Sequence, residues 1–120
     1  MERIATTGLK IDLHIHSHAS SRKDGKKVKN NTLENLPVLV QRLNDQGVQI
    51  CAITDHDAFS YALYQGLKAA ESQKVSIKKV LPGIEFTVDF IVEGSAKALH
   101  IVAIFSDADD GKVRNIETIM

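Results

Sequence analysis

Asp12, His14, His16 and His18 alternate with Leu13, Ile15 and Ser17 near the start of the chain. Successive side chains of a strand point to opposite faces, so a strand here would carry three imidazoles and a carboxylate on one face and turn Leu13 and Ile15 into apolar packing. Imidazole is the commonest metal ligand among side chains, and a rigid strand can aim two of them at one point. A solvated polar face is the plain alternative, but burying several imidazoles without a partner is costly, so the stretch reads as half of a metal site. His18 falls close to the expected strand end.

Three further places hold groups of the same kind. Thr54-Asp55-His56-Asp57 follows an apolar run. A carboxylate beside an imidazole can orient a metal-bound ring or ligate directly, whereas Asp57 and Asp55 also suit a helix start. Glu85, in Gly83-Ile84-Glu85-Phe86-Thr87, must either face solvent or pair with a cation. His100 lies inside Ala98-Leu99-His100-Ile101-Val102, where a histidine is either a hydrogen-bonded core residue or a ligand.

The elements that would position these residues follow from pattern. A first strand is expected over residues 9–16, then a polar, basic surface loop over 17–31 with Arg22, Lys23, Lys26, Lys27 and Lys29 around Asp24-Gly25. Such a loop is either solvated or meets a phosphate. Leu33, Leu36, Val40 and Leu43 recur at helical spacing, with Asn31, Thr32 or Asn35 as N-cap, Pro37 tolerable in a first turn and Gly47 as the stop, which predicts a helix near 34–46. Val48 to Thr54 has the continuous apolar character of a strand covered on both faces. Ala58 to Ser72 reads as a second helix with Phe59, Ala62, Leu63, Leu67 and Ala70 on one stripe, slightly weakened by Gly66. Two β-like runs flank Pro82-Gly83 within 77–92, a further buried strand is expected over 98–105, and a final helix starts near Lys112 with Val113, Ile116 and Ile119. The order β, α, β, α, β, β, α predicts an α/β protein with some parallel pairing, in which ligands gather beyond the carboxyl ends of parallel strands. His16, His56 and Glu85 are expected at such ends.

Composition bounds the reading. A chain of 120 residues is one domain, since a domain needs about 100 to 200. With 43% hydrophobic and 25% charged residues it can bury a core. Lys plus Arg balances Asp plus Glu at 15 each, so no global field would hold nucleic acid or an anionic membrane. The lone Cys51 cannot form an internal disulfide and is read as core, and no stretch has the length of a signal core or membrane span, so a cytoplasmic protein is expected.

Together, Asp12-Leu13-His14-Ile15-His16-Ser17, Ile53-Thr54-Asp55-His56-Asp57, Gly83-Ile84-Glu85 and Leu99-His100-Ile101 resemble, in order and spacing, the first three motifs of the PHP (polymerase and histidinol phosphatase) family. The resemblance covers nearly the whole chain. It implies a distorted (β/α)7 barrel with metals at the carboxyl ends of the strands and a hydrolase acting on phosphoesters. It also implies His14, His16, His56, Glu85 and His100 as metal ligands, with Glu85 bridging two ions. Asp24, before Gly25, is similar to a further acidic ligand of the family but stands further from His16 than the usual spacing. Asp55 resembles the family residue beside the metal-bound histidine, so Asp55 and His56 are the catalytic candidates.

The chain also departs from the pattern. The family's later motifs supply a further His or Cys and a final Asp-x-His pair, and no histidine follows His100. A related (β/α)8 barrel needs roughly 250 residues, so the expectation is a partial (β/α)7-type barrel, about half of a full one and the N-terminal portion of a longer protein. The implied function is a metal-dependent phosphoesterase with two or three Zn, Mn or Fe ions in the complete family site, acting on a phosphorylated small molecule or nucleotide, with the site incomplete in this chain. The alternative is a non-catalytic interaction or regulatory module of a larger ATPase- or polymerase-associated protein. A third, a hydrolase of C–N bonds on a similar barrel, fits the Thr-Asp-His and Gly-Ile-Glu motifs less well. Half a barrel would leave sheet edges and an apolar flank open, which predicts a homo-oligomer or pairing with a missing C-terminal region.

Overall fold

A computed structural model describes residues 8–20 and 31–119. Asp24 and the basic residues between 22 and 29 lie outside the described residues. In chain order the elements are β1 (Ile11–Ile15), α1 (Leu36–Asp45), β2 (Ile50–His56), α2 (Tyr61–Lys68) with a 3-10 turn at Ala69–Ser72, β3 (Lys79–Val80), β4 (Gly83–Val92), β5 (Ser95–Ile104) and α3 (Asp110–Ile119). The chain is therefore mixed α/β, as the alternation of patterns predicts.

The sheet runs β1-β2-β4-β5, with β3 also paired to β2. β1, β2 and β4 are parallel, and β5 returns antiparallel to β4. β3 and β4 occupy one edge of β2 in succession, Cys51 opposite Val80 and then Thr54 opposite Gly83. Pro82 sits at the break between them, where a residue without an N–H cannot donate to a ladder.

α1 begins at Leu36 with Pro37 in its first turn and buries Leu36, Leu39 and Leu43. Leu33, expected on that stripe, precedes the helix and is exposed. Gly47 follows the helix with φ of 72°, the left-handed conformation that glycine adopts without a Cβ penalty. α2 is shorter than the expected 58–72 because Ser60 caps it, its hydroxyl accepting from Leu63 N–H at 3.3 Å. Leu63, Tyr64, Leu67 and Ala70 form the buried stripe, and Ala62 faces solvent instead. Gly66 has a packing role: a Cβ there would lie 2.5 Å from Leu36 Cδ1, so its absence lets α1 and α2 approach.

β2 is covered on both faces, Cys51 through His56 all being buried, as expected of a central parallel strand. The 98–105 strand departs from expectation. β5 is mostly exposed, because it forms the sheet edge and pairs along a ten-residue hairpin with β4 that extends past the helices. An apolar run does not distinguish an enclosed strand from an overhanging one. Glu93 and Gly94 join the two strands with φ of 51° and 80°, the paired positive angles of a two-residue hairpin turn. No helix among the described residues is long and apolar enough to cross a membrane.

Candidate metal centre

Four adjacent strands each deliver a side chain to one place. His14 comes from β1 and His16 from the residue just past it, His56 ends β2, Glu85 is the third residue of β4, and His100 lies on β5. Register explains the convergence. His56 stands opposite Glu85 across the parallel pair, and Thr87 stands opposite His100 across the hairpin, so Glu85 and His100 share a face one diagonal apart. The imidazoles form a row across the sheet, with ring centroids 4.9 Å apart for His14 and His16, 4.9 Å for His16 and His56, and 5.3 Å for His56 and His100.

The Glu85 carboxylate lies beneath the row. Its Oε1 accepts from His14 Nε2 at 2.8 Å and His16 Nε2 at 2.7 Å, with His56 Nε2 at 3.5 Å, while Oε2 faces His100 Nδ1 at 3.3 Å. Burial pushes the Glu85 carboxyl up, but the bonds from His14 and His16, with the nearby His14 and His56 rings, outweigh it and hold the group below the usual carboxylate range. A carboxylate that stays ionised while 3% exposed suits a cation.

His14, His16 and Glu85 form one group of donors able to hold a metal ion, and His56, Glu85 and His100 form a second, the atoms within each group lying within 4.8 Å of one another. Glu85 belongs to both. Imidazole nitrogen combined with carboxylate oxygen is a donor set for a divalent transition ion. The His14 and His100 side chains are 57% and 53% exposed, so the row is open to solvent at both ends while His56 and Glu85 form its buried floor.

The other expected residues take different places. His18 lies in a turn beyond β1, is exposed, and joins neither group. Asp12 accepts from the His14 backbone N–H at 3.2 Å and stays outside both groups. A register shift between Asp12 and Ile15 interrupts the strict alternation that would have put all four side chains on one face. Asp55, expected as catalytic, lies outside both donor groups, and its two carboxylate oxygens accept from Ser17 N–H at 2.5 Å and Ser17 Oγ at 2.6 Å. Burial pushes its carboxyl up against the lowering effect of these bonds and of His16 and His18. Its role is to hold the turn that carries His16. Glu85 is level with the end of β2, but β4 continues to Val92, so Glu85 does not terminate its strand as expected.

Sequence reasoning missed the supports. Ser20 Oγ accepts from His56 N–H at 3.0 Å, and Thr54 Oγ1 donates to the Leu13 carbonyl at 2.9 Å, tying the β1 end and the following turn to β2. Ser17 and Ser20 are buried polar residues in a Ser-rich stretch whose pattern signals only a turn. Asp57 adopts φ of 49° immediately after β2, donates its N–H to the Glu85 carbonyl at 2.8 Å, and accepts from Thr87 N–H at 3.3 Å, which pins β4 beside the site. No protein-family model matches the chain, and no curated protein matches it.

Proposed function

We propose that the chain is a metal-dependent phosphoesterase domain of the PHP type, a partial (β/α)7-type barrel whose centre holds two divalent ions among Zn, Mn and Fe. One observation carries the reading: a single buried carboxylate, Glu85, shared by two three-residue donor groups. Such sharing suits a dinuclear centre. His14 and His16 would hold one ion, His56 and His100 the other, and Glu85 both. The chemistry such ions supply is polarisation of a phosphoryl oxygen and activation of water, so the protein needs no nucleophile of its own. The exposed flanks at His14 and His100 leave room for a phosphorylated small molecule or nucleotide, and Asp55, through Ser17, keeps His16 in place.

The test is elemental metal content per chain of the purified protein beside a His14→Ala, His16→Ala double variant, followed by hydrolysis of a chromogenic phosphomonoester. Two ions per chain in the parent, reduced in the variant, with metal-dependent release of phosphate, is the expected result. Stoichiometric metal without phosphate release would favour the non-catalytic module. No stoichiometric metal in the parent overturns the centre itself.

A further inference from the structure

The β4–β5 hairpin carries a second surface, on the face opposite the imidazoles. Register places Ile84 with Ala103, Phe86 with Ile101, Val88 with Leu99, Phe90 with Lys97 and Val92 with Ser95 on that side, because Glu85, Thr87 and His100 occupy the other. The stripe starts inside the core at Ile84, which is 1% exposed, passes through partly buried Phe86, and then leaves the cover of the helices. Val88, Phe90, Val92, Leu99 and Ile101 are each 42–51% exposed. Lys97 and Ser95 are the polar residues of this face, both near the hairpin tip.

We propose that this face packs against the same face of a second copy of the chain, forming a symmetric sheet-on-sheet dimer. The five exposed side chains leave on the order of 400 Å² of apolar surface per chain. Complete burial of both stripes, with Phe86 and the Lys97 stem included, covers at most ~1,000 Å², the size of a weak, reversible interface. A partner recognised by charge would find only Lys97 on the face, whereas an identical apolar stripe is complementary in chemistry along its length. Two twisted sheets stack about 10 Å apart with their strands within about 30° of each other, an arrangement a twofold axis satisfies with one surface used twice. Because the imidazole row lies on the opposite face, both centres of the dimer stay open.

Sedimentation equilibrium of the full chain between about 1 and about 100 µM tests this. The parent is expected to fit a monomer–dimer equilibrium, Leu99→Lys to weaken it at least about tenfold, and Ile91→Lys to leave it unchanged. Ile91 is 75% exposed but lies on the imidazole side of the hairpin, so it serves as the control for general stickiness. Circular dichroism on each variant, and a thermal transition, confirm that the lysine variants remain folded. A parent that stays monomeric throughout overturns the proposal and leaves the face to a different partner. Equal dissociation by Ile91→Lys, or growth past two copies, overturns it as well.

Discussion

Ser17 grips the Asp55 carboxylate with both its N–H and its hydroxyl, across 38 residues of sequence, at 2.5 and 2.6 Å. Asp55 is 2% exposed and Ser17 fully buried, so removing either partner strands a polar group away from water. Asp55→Ala is expected to cost about 2–3 kcal/mol and Ser17→Ala about 1–2 kcal/mol, read from urea unfolding. Since His16 precedes Ser17, both variants should also bind metal more weakly than the parent under native conditions. Unchanged stability in Asp55→Ala would show that the pair contributes nothing net.

Two histidines test the proposed ligand set. His100 faces Glu85 Oε2 at 3.3 Å, and His18 lies outside both donor groups although it continues the same two-residue spacing as His14 and His16. His100→Ala should lose about one ion per chain, and His18→Ala should lose none. Inductively coupled plasma mass spectrometry on the two purified variants decides it. Equal loss in both would refute the assignment by geometry.

Gly83 is fixed by close approach. A Cβ there would stand 2.8 Å from the Ala103 carbonyl oxygen, 2.8 Å from Thr54 Cγ2 and 2.9 Å from Ile104 Cδ1, so β4 would have to move away from β2 or β5. Gly83→Ala is expected to cost about 1–3 kcal/mol by overpacking. Because Glu85 follows two residues later on the same strand, metal affinity should fall too. Thermal unfolding with and without added Zn or Mn measures both effects.

Asp107 ties β3 and α2 together. It pairs with Lys79 and, at 2.9 Å, with Lys68, and these bonds, Lys79 first, lower its carboxyl to about 2. The folded value lies below the unfolded one, so the contribution is present above the ordinary Asp range and is lost as pH falls through about 2. After solvent screening of the two lysines, Asp107→Asn should cost ~1 kcal/mol at neutral pH. Its unfolding free energy should converge on the parent's towards pH 2; a constant gap down to that pH would locate the stabilisation elsewhere.

Legibility in the sequence followed the range of each signal. His14 and His16 could be read because a two-residue period is local, and β2 because a doubly covered strand is a continuous apolar run. His18 continues the same two-residue spacing but falls close to the expected strand end, and a turn beyond β1 takes it out of both donor groups. Glu85 was ambiguous between solvent and a cation until His14, His16, His56 and His100 were brought round it, a product of register between strands far apart in the chain. The exposure of β5 was hidden for the same reason. Leu99, Ile101 and Val102 state that the segment is apolar, but whether a helix covers it depends on how far α2 and α3 reach. Asp24 falls outside the described residues.

The Glu93-Gly94 turn bears on the order in which the centre is built. It closes two ten-residue strands through a two-residue connection, so Glu85 and His100 can meet by local zippering, whereas β1 must find β2 across more than thirty intervening residues that include α1. The half of the cluster that includes His100 is therefore expected to form early, and His14 and His16 to be delivered late, onto a carboxylate already in position. Pulse-labelling hydrogen exchange would show this as protection of Val88 and Ile101 amides ahead of Leu13. Protection of β1 first would reverse the order, and with it the view of Glu85 as the point around which the histidines gather during folding.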